Sequence, residues 1–194
     1  MIEIKDKTKC CGCTACASIC SQKCISMLAD EEGFKYPNVN TNLCINCGLC
    51  EKVCPYNQTE TEDVLNPPSF ACLNKNKDIV KNSSSGGVFT LFANEIINKG
   101  GCVVGVAFDD RWRTKHVIVD NLNDLWKLRG SKYTQSNLSD IFIQIKNLLK
   151  NETQVLFSGT PCQVMGLRRY LRKDYPNLYT IENICHGVAS PIVW

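Results

Sequence analysis

The sequence CINCGLCEKVCP at residues 44–55 places three cysteines three positions apart, followed by a fourth cysteine four positions later and a proline. Residues 10–21, CCGCTACASICS, repeat this spacing, with Ser21 in place of the proline. Outside these two runs cysteine is sparse, since ten of the 14 cysteines in the 194-residue chain lie within its first 54 residues. This segment has few large apolar side chains, so we expect metal ligation to replace a hydrophobic core there.

The spacing of the two runs is typical of bacterial ferredoxins. In that pattern three cysteines of a run hold one [4Fe-4S] cluster and the fourth holds the neighbouring cluster. The eight predicted ligands therefore divide into Cys10, Cys13, Cys16 and Cys54 on one cluster and Cys44, Cys47, Cys50 and Cys20 on the other. Cys11 and Cys24 fall outside the spacing and are interpreted as spare. Ser21 does not change the prediction, because the proline shapes the loop and supplies no ligand.

A pair of zinc sites is the alternative interpretation of the cysteine-rich segment. Zinc sites usually pair two short cysteine knuckles across a spacer. Two complete four-cysteine runs in tandem are more specific than that, so the sequence favours iron–sulfur clusters over zinc.

Composition argues against several classes of protein. Cysteines gathered at one end, behind a charged N-terminal stretch with no apolar core, do not fit a secreted disulfide scaffold. The longest apolar stretches are too short and interrupted for a membrane span. A formal charge of +3 without a dense run of Lys or Arg gives little support for nucleic-acid binding. We expect a cytoplasmic protein, because a reducing compartment suits exposed cysteines and oxygen-sensitive clusters.

The chain divides into three predicted parts: a ferredoxin domain at 1–58, a polar linker at 59–70 and an α/β part at 71–194. The α/β part has predicted helices after 88, at 138–150 with Ser139 as N-cap, and at 162–172. Its predicted strands are 102–108, 116–119, 154–157 and 179–185, with a short helix at 123–128. Ser190-Pro191 begins a further helix that only three residues are left to fill, so we expect a truncated member of a longer protein.

Three loops of the α/β part have features of phosphate-binding sites. Residues 83–87 (SSSGG) precede a helix, whose free N–H groups suit an anion, and their glycines allow close approach of a ligand. Residues 159–163 (GTPCQ) follow a strand and open a helix, at the sheet edge where open α/β sheets bind ligands. Residues 130–133 (GSKY) offer a cation and an aromatic ring. For each loop the alternative is an ordinary helix cap or exposed turn.

Cys162 begins a predicted helix, where the helix dipole is expected to lower the pKa of its thiol. It could act as a nucleophile, as a ligand of a further cluster with Cys185, or as a small buried residue, and the sequence leaves these roles open. His186 could be an acid–base group or pack at a strand end. His116 is expected on a strand face without a chemical role.

The cysteine runs and the motifs that follow them along the chain resemble, in type and in order, those of one protein family. This family is formed by the beta subunits of coenzyme F420 hydrogenases and dehydrogenases. The motifs that carry the resemblance are SSSGGVFT (83–90), RGSKYTQS (129–136), FSGTPCQVMGLRRYL (157–171) and ICHGVASPIVW (184–194), all behind the cysteine runs. The resemblance implies an α+β protein, with a bacterial-type dicluster ferredoxin domain followed by an incomplete α/β flavin-binding-type domain. It also implies FAD in a site lined by Ser84, Ser85, Gly86, Gly87, Lys132, Gly159, Thr160, Cys162 and Gln163.

The functional hypothesis is an iron–sulfur flavoprotein oxidoreductase. Electrons would pass between a partner redox protein (a ferredoxin or another subunit), two [4Fe-4S] clusters and a flavin, which converts single electrons into a hydride equivalent. Nothing in the sequence resembles a nickel site, so hydrogen chemistry would need another subunit. The alternative is a non-enzymatic electron carrier whose α/β part only docks a partner.

Overall fold

The structure of the protein is a computed structural model that describes residues 1–57 and 67–193. Residues 59–66 of the predicted linker lie outside the described residues. The helices of the described part are α1 (Ala15–Ile19), α2 (Leu49–Lys52), α3 (Lys77–Lys81), α4 (Val88–Asn98), α5 (Ile141–Lys150) and α6 (Pro161–Leu171). The strands are β1 (Ile25–Ala29), β2 (Lys35–Val39), β3 (Cys102–Phe108), β4 (Thr114–Val119), β5 (Val155–Gly159) and β6 (Leu178–Glu182). Single turns of 3₁₀ helix lie at Lys7–Lys9, Pro55–Asn57 and Leu125–Leu128.

The cysteine-rich segment is built from one hairpin and two short helices. Strands β1 and β2 pair antiparallel, with Ile25 opposite Val39. Helices α1 and α2 each begin inside a cysteine run. The buried side chains of this segment are mostly thiols and isoleucines: Ile2, Cys16, Cys24, Ile25 and Cys50. So small a cluster of buried side chains agrees with the expectation that the segment has little conventional hydrophobic core.

The second part contains a four-stranded sheet in the order β4-β3-β5-β6. Strand β4 is an antiparallel edge strand, whereas β3, β5 and β6 run parallel. The residues of β5 are all buried and those of β3 nearly so, as expected for central strands covered on both faces. On one face, Val104 and Phe157 pack with α5 and α6, and on the other, Val103 and Leu156 pack with α4.

The two parts of the chain share a hydrophobic core. Cys13, Ala15 and Val53 of the cysteine-rich segment are buried in the same cluster as Phe142 of α5 and Leu167 of α6. Ala15 and Leu167 are both fully buried at 0% exposure. The cysteine-rich segment therefore packs directly on the helical face of the sheet, and the described residues form an α+β fold.

The main elements of the α/β part are close to their predicted positions. Strand β3 occupies the predicted residues 102–108, and α4 ends before Gly100 as expected. Strand β6 ends at Glu182, three residues earlier than predicted. None of the described helices has the length and apolar character needed to cross a membrane.

Two predicted helix starts are wrong. Helix α5 begins at Ile141 rather than Leu138, because Ser139 adopts a left-handed backbone (φ 46°) and Asp140 occupies the N-cap position. Ser190 opens a turn and not a helix within the described residues. Its hydroxyl accepts the Ile192 N–H at 3.1 Å and donates to the carbonyl of Glu32.

Candidate functional site

The second cysteine run encloses a cavity that we call the outer cavity. It is lined by five cysteines, Cys20, Cys24, Cys44, Cys47 and Cys50, and has a volume of about 380 Å³ including its opening to solvent. Cys47 is exposed, and the neighbouring Ile45 side chain is 63% exposed. The predicted ligand set of the second cluster therefore meets at one cavity close to the protein surface.

The first cysteine run encloses the inner cavity, of about 330 Å³ including its opening. Its lining also contains five cysteines, Cys10, Cys11, Cys13, Cys16 and Cys54. Cys13 and Cys16 are buried, and Tyr56 closes part of the wall. The structure thus brings together the four residues of the other predicted ligand set.

The two cavities exchange their fourth cysteine. Cys20 ends the first run but lines the outer cavity, and Cys54 ends the second run but lines the inner cavity. This exchange is the arrangement expected for two neighbouring cubane clusters. Thiol donors in two sets of four, each set lining one cavity, fit two [4Fe-4S] clusters, while ligation by each cysteine stays a prediction.

The cysteine loops share a backbone pattern as well as a spacing. Gly12 and Thr14 in the first run have φ values of 66° and 64°, and the equivalent Asn46 and Gly48 in the second run have values of 57° and 71°. Left-handed residues alternating with ordinary ones form concave nests of N–H groups that favour anions. The repeat therefore supplies each cavity with thiols and with a backbone suited to a negatively charged cluster.

Burial raises the pKa of two thiols in the inner cavity, those of Cys10 and Cys16. The pKa of Cys16 rises to about 12, chiefly because burial disfavours the thiolate, with a further contribution from Cys10. Burial likewise raises the pKa of Cys10. Thiolate is the form that binds metal, so ligation must displace these protons. Among residues 1–57 and 67–193, no three His, Cys, Asp or Glu side chains are grouped to hold a single metal ion.

Cys11 and Cys24 lie in the cavity walls, although their sequence positions suggested that they were spare. The Cys24 sulfur lies 3.3 Å from the Cys20 sulfur in the outer cavity. The Cys11 thiol hydrogen-bonds with those of Cys13 and Cys162. The spacing rule identifies only the repeated positions, so it carries no signal for these two neighbours.

Cys162 lies against the inner cavity through its contact with Cys11. The expectation of a lowered pKa is wrong, because the hydrogen bond that the Cys162 thiol donates to Cys11 and burial both raise the pKa of Cys162. The Cys162 sulfur also lies 3.1 Å from the Thr160 hydroxyl. Cys185, its suggested co-ligand, is exposed beyond the end of β6.

The loops that were predicted to line a flavin meet at the carboxyl edge of the sheet. The Ser131 N–H donates to the Ser84 hydroxyl at 2.7 Å, which joins the loop at 130–133 to the loop at 83–87. The Lys132 ammonium lies 5.9 Å from the centre of the Phe108 ring, at the end of β3. Gly159 ends the neighbouring parallel strand β5. Ligands of open α/β sheets bind at this edge.

Several predicted flavin residues are engaged by the protein itself. A Cβ on Gly86 would collide with the carbonyl of Cys72, and one on Gly159 would lie 3.0 Å from the Gln163 side-chain oxygen. Gly87 has a φ of 75° and packs on Ile79. Internal packing accounts for these glycines without a ligand, and Ser84 and Ser85 are the exposed members of their loop.

The Lys132 ammonium also has its hydrogen-bond partners within the protein. It donates to the carbonyls of Lys127 and Arg129 at 3.0 and 2.8 Å, at the end of a 3₁₀ turn. Burial lowers its pKa to about 8. Lys132 therefore anchors its own loop at the sheet edge.

His116 joins the sheet to the turn after β5 through a buried network that the sequence did not predict. The Thr160 N–H donates to Gln163, whose side-chain NH₂ donates to the Ser136 hydroxyl at 2.9 Å. Ser136 contacts Nδ1 of His116 at 3.0 Å, and Nε2 lies 3.3 Å from the Ser158 carbonyl. Burial lowers the pKa of His116 to about 4, so the ring is neutral. A neutral His116 ring with its proton on Nε2 donates to the Ser158 carbonyl and accepts the Ser136 hydroxyl at Nδ1. Every side chain of the network then has a hydrogen-bond partner.

Comparison with known proteins identifies both parts of the chain. Residues 9–58 match the 4Fe-4S dicluster domain, and residues 69–142 match the N-terminal domain of the coenzyme F420 hydrogenase/dehydrogenase beta subunit. A subunit of the F(420)H(2) dehydrogenase of Methanosarcina mazei is 25% identical over 177 residues, which cover 86% of this chain and 49% of that protein. Coenzyme F420-dependent sulfite reductase of Methanocaldococcus jannaschii is 28% identical over 186 residues, which cover 93% of this chain and 28% of that protein.

A solved structure, the F420-reducing [NiFe] hydrogenase complex of Methanosarcina barkeri, aligns with a TM-score of 0.48 at 22% identity, over 58% of this chain and 42% of that chain. This chain spans about half the length, or less, of the two curated relatives. The two domain matches follow each other in the order that the sequence motifs indicated. Residues 69–142 are therefore similar to the N-terminal domain of coenzyme F420 hydrogenase/dehydrogenase beta subunits, and they follow a 4Fe-4S dicluster domain at residues 9–58.

Proposed function

We propose that the protein is an iron–sulfur flavoprotein oxidoreductase subunit that passes electrons between a partner redox protein, two [4Fe-4S] clusters and a flavin. The sorting of the cysteines into two cavities, with Cys20 and Cys54 exchanged, carries this proposal. The relatives support the reaction class, since one is named a dehydrogenase subunit and the other a reductase.

The partner would dock at the outer cavity. Cys47 is exposed there, and the flanking Leu43 and Ile45 side chains are 55% and 63% exposed. A redox protein such as a ferredoxin or another subunit could therefore approach a cluster held by Cys47 without any rearrangement of the loop. An exposed apolar rim of this kind suits a protein surface.

The inner cluster would connect the outer cluster to the α/β part. Cys13 is buried in the core that α5 and α6 share with the cysteine-rich segment. Cys11 contacts Cys162 in the first turn of α6. Electrons that enter at the outer cavity would thus pass through the inner cluster before they reach the carboxyl edge of the sheet.

The flavin, which the family resemblance implies to be FAD, would lie at that sheet edge, lined by the loop at 84–87, Lys132 and the turn at 159–163. When bound, a flavin supplies exchange between one-electron and two-electron transfer. The residues of this chain hold the edge in shape: Ser131 binds Ser84, and Gln163 ties the Thr160 turn to Ser136.

A carrier without a flavin is the second candidate. It is favoured by one observation, the internal packing of Gly86, Gly87 and Gly159, which explains those glycines without a ligand. In that case the α/β part would only dock a partner, and the two clusters would be the only redox cofactors of such a carrier.

An anaerobic reductive titration distinguishes the two candidates. Two clusters accept about two electrons per chain. A bound FAD adds about two more, so the flavoprotein is expected to consume about four electrons per chain and to release FAD on denaturation. Uptake of about two electrons with no released flavin would identify the carrier.

A further inference from the structure

Gly166 lies in the interior of α6, where glycine is a poor choice for the helix itself. Glycine destabilises a helix relative to alanine at such a position, because its backbone loses more conformational freedom on folding. Gly166 is buried, and the helix continues without a break from Pro161 to Leu171. A requirement outside the helix must therefore favour glycine at this position.

That requirement is the approach of Cys13. A Cβ on Gly166 would lie 2.9 Å from the Cys13 sulfur and 3.0 Å from its Cβ, which is closer than side chains tolerate. The next neighbour, an edge carbon of Phe142, would be at 3.6 Å, an ordinary contact. The conflict is specific to Cys13, one of the four predicted ligands of the inner cluster.

Neither the helix nor the backbone of the cysteine loop can easily move away from this contact. On the helix, Val164 and Leu167 are both 0% exposed and fix α6 in the core. On the loop, Cys13 is 8% exposed and lies two residues before Ala15, which is fully buried. An added methyl group would therefore be accommodated by displacing the Cys13 sulfur.

Gln135 holds the same loop from a second side. Its side-chain nitrogen donates to the Cys11 carbonyl at 3.4 Å, and its oxygen accepts the Lys35 N–H at 3.4 Å. A Cβ on Gly12 would lie 2.7 Å from that nitrogen. The α/β part thus contacts the Cys10–Cys13 loop at two independent points.

We propose that Gly166 is a positioning residue for the inner iron–sulfur cluster, and that α6 forms the wall that sets where Cys13 presents its sulfur. This inference rests on the proposed function, because it requires the clusters. It assigns the α/β part a role in building the inner cluster in addition to receiving its electrons.

The test is Gly166→Ala in the full chain, reconstituted anaerobically, with iron content and the potential of each cluster measured by EPR-monitored titration. Cys13→Ser and Cys47→Ser identify which signal belongs to which cluster. Gly166→Ala is expected to lower bound iron from about eight towards about four per chain, or to shift the potential of the inner cluster alone. Met165→Ala, on the exposed side of the same helix, serves as the matched control and is expected to behave as wild type.

Gln135→Ala provides a second variant that leaves α6 unchanged, and it is expected to shift the same inner-cluster signal. Unchanged iron and unchanged potentials in Gly166→Ala would overturn the inference. Loss of both clusters together would also overturn it, because Gly166 would then act on the whole fold. Wild-type protein without iron would instead refute the proposed function, so the two failures are distinguishable.

Discussion

Cys20 and Cys54 each end one cysteine run and line the cavity of the other. The sequence predicted this exchange because the run has a fixed mechanical consequence: three sulfurs wrap one loop and the fourth points away. Spacing could not place Cys11 and Cys24, since their positions depend on how neighbouring chain segments pack. It could not foresee the hydrogen bond of Cys11 with Cys162 either, because those residues meet only in the folded protein.

At the residue scale, replacement of a single ligand should remove a single cluster. Cys47→Ser is expected to lose the outer cluster and Cys13→Ser the inner one, each with about half of the iron, because an alcohol is a poor ligand for iron–sulfur clusters. Iron and sulfide analysis after anaerobic reconstitution checks this. Cys24→Ala is the matched control, since it lies in the same wall but outside the spacing. Full iron in both serine variants would refute the ligand assignment.

His116 should make stability depend on pH. Its folded pKa of about 4 lies below the ordinary value of 6.5, so its contribution is fully present above 6.5 and is lost as the pH falls towards 4. Between pH 7 and pH 5 the wild type is expected to lose about 2 kcal/mol more unfolding free energy than His116→Gln. Denaturant unfolding of both proteins at the two pH values measures the difference. Equal losses would show that the ring does not titrate as its burial requires.

At the scale of elements, hydrophobic periodicity predicted which segments form helices and strands, and missed how two of them begin. The start of α5 depends on the left-handed Ser139, and the polar network around His116 joins β4 to the turn after β5. The network around His116 needs partners that are distant in sequence. Gly86 makes room for the backbone of Cys72, a contact that the motif at 83–87 could not indicate, and the lining of a flavin by this loop stays a prediction.

Helix α5 offers a direct test of its assigned faces. Ile145 is 0% exposed and Ile143 is 39% exposed on the same helix. Ile145→Ala is expected to lower the free energy of unfolding by about 2–5 kcal/mol, because it leaves a cavity in the shared core. Ile143→Ala should cost less than about 1 kcal/mol, since the residue is partly solvated already. Similar losses in chemical denaturation would contradict the assigned orientation.

At the scale of the whole molecule, a thiol-lined segment and a sheet share one core through Cys13, Ala15 and Val53. The order of the two domains could be predicted from motifs, and the matches at residues 9–58 and 69–142 follow the same order. Their packing could not, because no local pattern encodes which helix faces the cysteine loop. That packing brings two cysteines of the inner cavity, Cys11 and Cys13, against helix α6.

The most direct test of the account is the metal content of the anaerobically purified protein, measured together with its acid-labile sulfide and visible spectrum. Two [4Fe-4S] clusters predict about eight iron and about eight sulfide per chain. They also predict broad absorption near about 400 nm that bleaches on reduction. Zinc without iron or sulfide, in protein that retains its fold, would contradict the central claim.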